Sequence, residues 1–192
     1  RRFLRRTAEV VDFTNERTTE DRVGHSTFMA GTIGSTSECP GFAPDAQLTF
    51  VRVFDSRQTS TTAWFLDGFN FILRRSESVD LINLSVGGPD YRDEAFAAKV
   101  RELATKGVTI VSGAGNSGPV WGTLLNPADE AWVVGVGGLR AFDGRLAEWS
   151  SRGPTLWELP LGAGRSGVDV VTHGEFWAAH PSSGCQHQYG TS

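Results

Sequence analysis

The run Leu48-Thr49-Phe50-Val51-Arg52-Val53 decides the fold class, because two later runs echo it: Val79-Asp80-Leu81-Ile82-Asn83-Leu84-Ser85-Val86 and Val108-Thr109-Ile110-Val111-Ser112. Each is a short, largely apolar stretch of strand length, and an amphipathic segment fills each interval between them. Residues 61–75 carry Phe65, Phe69 and Ile72 at i, i+4 and i+7, with Arg74 and Arg75 set against the C-terminal end of a helix dipole. Residues 93–106 put Phe96, Val100 and Leu103 on one face and stop at Gly107, which can take the left-handed cap conformation. Strand alternating with helix predicts an α/β fold, a mostly parallel sheet flanked by helices. Further strands are predicted at 131–136 and 168–172, with Gly, Pro and Ser crowded between them.

Outward from this core, no clean linker divides the 192 residues, a length that suits one domain. A hydrophobic content of 39% offsets chain entropy, and the 23 glycines show no three-residue period, which excludes collagen and low-complexity disorder. Eighteen basic against 22 acidic side chains give a net charge of -4, which argues against a general hold on nucleic acid or anionic lipid. The longest apolar runs, such as residues 132–138, fall well short of the roughly 18 residues a membrane span needs. The first six residues, four of them arginine, lead into polar sequence rather than an apolar signal core and read as a solvated linker. With no initiator Met, the chain reads as an excerpt of a longer protein.

Glycines at 87 and 88, 113 and 115, and 137 and 138 follow successive strands and leave room for a ligand at the carboxyl edge, where open parallel sheets bind. Near the start, Gly24-His25-Ser26-Thr27-Phe28-Met29-Ala30-Gly31 places a histidine at the beginning of a short helix packed by small residues. An imidazole with an ordinary pKa of about 6.5 is suited to proton transfer, but one histidine alone decides nothing. The deciding context is a series of blocks: Leu81-Ile82-Asn83-Leu84-Ser85-Val86-Gly87-Gly88-Pro89, Ser112-Gly113-Ala114-Gly115-Asn116-Ser117-Gly118-Pro119, Trp149-Ser150-Ser151-Arg152-Gly153-Pro154 and Gly190-Thr191-Ser192. In order and spacing they resemble the subtilisin-like serine protease family. The segments Gly41-Phe42-Ala43-Pro44-Asp45-Ala46, Trp64-Phe65-Leu66-Asp67, Asn126-Pro127-Ala128-Asp129 and Thr155-Leu156-Trp157-Glu158-Leu159-Pro160 look like its site-1 protease branch.

The resemblance implies a subtilisin-like three-layer fold and a set of roles. His25 falls where the family has its general base and Ser192 where it has its nucleophile. A serine hydroxyl is a poor nucleophile at neutral pH, so a histidine must take its proton during attack and return it to the leaving amine. Asn116 matches the amide that stabilises the oxyanion, a contact worth roughly 2.7 to 4 kcal/mol in a subtilisin. Ser85, Val86 and Gly87, with Gly115, look like the edge that pairs with an extended substrate. The resemblance further implies hydrolysis through an acyl-enzyme by a zymogen-derived endopeptidase, anchored in the endoplasmic reticulum or Golgi lumen. Its partners would be a propeptide and membrane-bound precursor proteins. No cofactor is needed for the chemistry; structural calcium often supports such folds, and no oxygen-rich loop here names a site.

Three departures stand out. The family's Asp-Ser/Thr-Gly triplet ahead of the histidine is absent; Asp12 and Asp21 fall in sequence resembling the stretch just after the family's catalytic strand, and neither is assigned to the triad. Ser26 and Tyr189 replace the usual glycine and small residue beside His25 and Gly190. The chain stops at Ser192, without the helix that would hold the nucleophile, so residues 1–192 read as a partial peptidase domain that is inactive by itself. A noncatalytic pseudoprotease or interaction domain that keeps the fold is the alternative.

Other readings are weaker. Gly113-x-Gly115-x-x-Gly118 fits a dinucleotide fingerprint, but residues 119–127 are too punctuated by Gly and Pro for the helix that must follow. His173, His180 and His187 with Cys185 lack a familiar zinc spacing and read as incidental histidines of a loop. Asn83-Leu84-Ser85 matches a glycosylation acceptor inside a strand expected to be buried. Cys39 and Cys185 fit two buried thiols and a luminal disulfide equally well.

Overall fold

The computed structural model describes residues 9–156, 164–180 and 184–192. The arginine-rich start and the Trp157-Glu158-Leu159-Pro160 part of one motif lie outside the described residues. In chain order the elements are β1 (Glu9–Asp12), α1 (His25–Gly34), β2 (Thr49–Arg52), α2 (Thr62–Leu73), β3 (Leu81–Leu84) and α3 (Glu94–Thr105). Five strands follow: β4 (Thr109–Gly113), β5 (Val134–Leu139), β6 (Val170–His173), β7 (Glu175–His180) and β8 (Gly184–Tyr189). They form two compact units: the described residues up to Gly68 with Phe176–Gln188, and Phe69–Glu175 with Tyr189–Ser192.

The second unit is a four-stranded sheet in the order β3-β4-β5-β6, parallel throughout. The register aligns Leu84 with Ser112, Ser112 with Gly135 and Val136 with Val170, so the carboxyl ends of β3 and β4 fall side by side. Helix α3 forms where its sequence marks both ends. Asp93 accepts a bond from the Phe96 N–H at 3.0 Å, and Gly107 (φ 86°) closes the helix with Val108 N–H on Leu103 and Gly107 N–H on Ala104, a Schellman cap. The apolar stripe read from the sequence is its inner face: Phe96, Ala97, Val100 and Leu103 are buried, and Phe96 meets Phe69 of α2 at 5.4 Å. The architecture is the expected α/β arrangement of parallel strands flanked by helices.

Strand β5 begins three residues later than the 131–136 run predicts. Val133 N–H bonds to Glu130 in a turn and Trp132 is exposed, so the first apolar residues close that turn instead of entering the sheet. The strand takes in glycines in their place, because its neighbours come too close for side chains. A Cβ at Gly135 would lie 2.3 Å from the Gly167 carbonyl oxygen, and one at Gly138 2.3 Å from Trp149.

In the first unit β1 and β2 run parallel, from Glu9 opposite Thr49 to Asp12 opposite Arg52. Helix α1 packs against β7 so closely that a Cβ on Gly31 would stand 2.4 Å from the Ala179 carbonyl oxygen. Ala30 and Ala179 form a buried pair flanked by Cys39 and Phe50. Cys39 and Cys185 form a disulfide with Cα atoms 5.9 Å apart, which decides between the two states the sequence left open. β7 and β8 pair in a sheet of their own.

Two expectations need correction. His173, His180 and His187 do not sit in a loop: His173 ends β6, which overlaps the strand expected at 168–172, and His180 and His187 belong to β7 and β8, for which no strand was expected. Asn83 is in a strand, as expected, but on the exposed side of the alternation, with only Ile82 and Leu84 of β3 buried. Among the described residues no helix is long and apolar enough to cross a membrane.

Candidate active site

His25 is the first residue of α1, in the first unit. Gly24 precedes it at φ 88°, a conformation that favours glycine, and offers no side-chain cap. Asp21 supplies the cap instead. One carboxylate oxygen accepts from Gly24 N–H at 2.8 Å and Val23 N–H at 3.2 Å, while the other accepts from the Thr27 N–H at 2.8 Å and hydroxyl at 2.7 Å. Burial works to raise the Asp21 carboxyl, but the bonds from Thr27, Gly24 and Val23 outweigh it and hold the group below its ordinary range. Asp21 thus anchors the turn that presents His25. An acidic residue just ahead of a helix was its sequence signal. Ser26 is exposed in the first turn of α1.

In the second unit the remaining candidates converge on the carboxyl ends of β3 and β4. Ser85, Val86 and Gly87 directly follow β3; Gly113 ends β4, and Gly115 and Asn116 follow. The chain end, Tyr189–Ser192, lies against them. Gly115 N–H donates to Thr191 Oγ1 at 3.0 Å; Thr191 in turn donates to Asn116 Oδ1 from its N–H at 2.8 Å and its hydroxyl at 3.2 Å. The Ser85 hydroxyl donates to the Ser192 carbonyl at 2.8 Å, and Ser192 Oγ to the Ser85 carbonyl at 3.4 Å. With Oδ1 engaged by Thr191, the amide's donor end, Nδ2, lies beside Gly190, where a Cβ would approach it to 3.1 Å. The Tyr189 ring lies on Trp149, centroids 5.8 Å apart.

Residues 114–117 are held from behind. Ser151 N–H bonds to the Gly115 carbonyl at 2.9 Å and Ser117 N–H to Ser151 Oγ at 3.0 Å. Gly115 has φ 109°, and a Cβ there would come within 2.7 Å of both Leu125 and Ser151. A cleft of about 210 Å³ opens alongside, lined in part by Pro89, Tyr91, Ser117, Leu124, Leu125 and Asp129. No helix follows Gly118, and the Gly115 N–H is already bonded to Thr191, so the dinucleotide reading lacks both its helix and that donor.

Among the described residues no group of three or more His, Cys, Asp or Glu side chains could hold a metal ion. No calcium site is therefore assigned among the described residues, and no step is derived through one.

The sequence profile of the subtilase family matches residues 4–192. The chain is 50% identical over 185 residues to the membrane-bound transcription factor site-1 protease of Homo sapiens, covering 96% of this chain and 17% of that protein. It is 46% identical over 191 residues to the subtilisin-like protease SBT6.1 of Arabidopsis thaliana, covering 98% of this chain and 18% of that one. The chain therefore spans less than a fifth of the length of these relatives. Among solved structures it is similar to Sphericase, with a TM-score of 0.81 at 24% identity, covering 95% of this chain and 66% of that one, a likeness of fold.

Proposed function

The chain belongs to the subtilase family, and on that premise we propose that it carries the general base and the nucleophile of a serine endopeptidase. His25 takes the proton of the Ser192 hydroxyl as that oxygen attacks the scissile carbonyl carbon. The imidazolium then delivers the proton to the leaving amine as the C–N bond breaks, and water cleaves the resulting acyl-enzyme by the same steps in reverse. Asn116 Nδ2 donates to the oxyanion formed in each half. The peptide lies extended along Ser85, Val86 and Gly87, with Gly115 on its other side, paired through main-chain bonds.

The observation that carries this reading is the hydrogen-bonded chain from Ser85 through Ser192 and Thr191 to Asn116 and Gly115. It groups a hydroxyl, an amide donor and a strand edge around one small space. The site-1 protease likeness supports a finer reading, in which the substrates are membrane-bound precursor proteins and the enzyme matures from a propeptide-bearing form in the lumen of the endoplasmic reticulum or Golgi. The Cys39–Cys185 disulfide suits such an oxidising compartment.

A fluorophosphonate probe tests the chemistry. The full-length, propeptide-free protein is expected to be labelled, and Ser192→Ala to abolish labelling. A folded protein that fails to label, or a Ser192→Ala variant that still labels, rules the reading out.

A further inference from the structure

Behind the substrate edge lies a backbone pairing that the mechanism does not use. Gly88 and Asn126 exchange both backbone bonds, Gly88 N–H to Asn126 at 3.0 Å and Asn126 N–H to Gly88 at 2.9 Å, forming an antiparallel bridge outside any strand. The Asn126 side chain is turned away from that bridge: its Nδ2 donates to Asp129 Oδ1 at 2.9 Å. Both residues are buried, Asp129 to 3% exposure, and the Asp129 N–H returns to the Leu125 carbonyl at 3.2 Å. Leu125 in turn fills the space where Gly87 and Gly115 have no side chain; a Cβ at Gly87 would lie 2.9 Å from Leu125 Cβ. The 125–129 turn thus supports residues 87 and 88 from beneath, and the carboxylate grips the one side-chain amide in it. A buried carboxylate is costly to keep, so its place here calls for a purpose.

We propose that Asp129 is a positioning residue for peptide binding: by holding the Asn126 amide it fixes the Gly88–Asn126 pair and with it the register of the Ser85–Gly87 edge. The inference rests on the reading of that edge as the peptide-pairing strand. It concerns affinity for the extended chain, not the proton transfers at Ser192.

The groups around the carboxyl define its pH response. Burial pushes it up to about 6, the Asn126 amide opposes that, the neighbouring Glu130 adds to it and Arg165 opposes it. The Arg165 guanidinium also donates to the Asp129 carbonyl, and Tyr91 lines the same cleft. A bond to a charged acceptor is stronger than one to a neutral acceptor. The grip therefore loosens as the carboxylate takes up a proton below about pH 6.

The test uses the full-length protein. KM and kcat on an extended peptide are measured between about pH 5 and about pH 7.5 for the wild type, Asp129→Ala, Asp129→Asn, Asn126→Ala and the Asn126→Ala/Asp129→Ala double variant, a range that brackets the carboxyl's titration. Equilibrium binding of the same peptide is measured with each change placed in a Ser192→Ala background. Asp129→Ala is expected to raise KM and Kd roughly tenfold to a hundredfold at neutral pH, the loss of one hydrogen bond to a charged group, with little change in kcat. In the wild type KM rises as pH falls through about 6; Asp129→Asn, a permanently neutral acceptor, shows no such step and stays near the acid wild-type value. In the double variant the Ala at 129 adds nothing to the loss at 126.

An Asp129→Ala protein with unchanged KM, losses at 126 and 129 that add, or a pH step that persists in Asp129→Asn would overturn the inference. Should Asp129→Ala not fold, the Asp129→Asn pH profile decides. Failure of the protease reading is separable: the wild type would then not hydrolyse the peptide, while binding in the Ser192→Ala background would still report on the clamp.

Discussion

Residue 190 shows how one side chain, by its absence, keeps the site assembled. Gly190 sits at φ 148°, where side chains are rarely tolerated, and the Asn116 amide nitrogen occupies the space next to it. In the proposed mechanism Gly190→Ala must either move the Asn116 amide or strain the backbone leading to Ser192. The expected result is a fall in kcat of roughly tenfold to a hundredfold, corresponding to about 1 to 3 kcal/mol of strain, with KM much less affected. Steady-state kinetics on the full-length protein checks this; an unchanged kcat would mean that the amide has room to spare. Residues of this kind were legible in the sequence because a glycine required by geometry beside a chemical side chain makes a recognisable block. Asp21 and Asp129 were not legible in the same way. In the sequence Asp21 is only an acidic residue ahead of a helix and Asp129 only the end of Asn126-Pro127-Ala128-Asp129, because the work of each lies in backbone and amide bonds that exist only after folding.

At the scale of elements, the β1–β2 pair is tied by one cation. Arg52, on β2, donates to Asp12 at 3.4 Å, to Thr14 Oγ1 at 3.0 Å, to the Thr18 carbonyl at 3.1 Å and also to Glu16. The Arg52 guanidinium, followed by the Ser56 hydroxyl and N–H, lowers the Glu16 carboxyl from its ordinary 4.5 to about 2. A carboxyl whose pKa falls on folding stabilises the folded form above the unfolded value, and that stability is lost as pH drops from about 4.5 to about 2. Glu16→Gln removes the titration, so its Tm is expected to fall less steeply than the wild type's across that window; equal slopes would show that Glu16 does not contribute. Helices α2 and α3 were readable because their apolar residues recur at helical spacing and α3 has both its caps. The apolar run at 131–136 places β5 three residues early because an apolar run and a strand need not coincide when the strand requires glycines. β7 and β8 carry no strand signal for another reason: Glu-Phe-Trp-Ala-Ala-His has its apolar residues in one short run without alternation, and Gly-Cys-Gln-His-Gln-Tyr is largely polar.

At the scale of the molecule, the chain leaves the first unit after Gly68 and returns to it at Phe176. The disulfide joins the two stretches of that unit across a separation of 146 residues. Closing so long a loop restricts the unfolded chain, and the chain-entropy relation puts the stabilisation at about 5 kcal/mol as an upper figure. Cys39→Ser, or reduction of the native protein, is expected to lower Tm by several degrees, measured by calorimetry with and without reductant. Identical melting in both states would show that packing around Ala30 and Ala179 suffices. The pairing itself could not be read from sequence, since two cysteines reveal a bond only when their backbones are known to meet.

The same covalent link has a topological consequence. Between its two sulfurs runs the entire sheet of the second unit, with surface turns such as the one that carries the exposed Phe142. A single backbone cut in any of those turns opens the polypeptide without parting it, since both fragments remain stapled together. In a compartment where proteases meet one another, such a chain survives a nick as one molecule for as long as its surroundings stay oxidising.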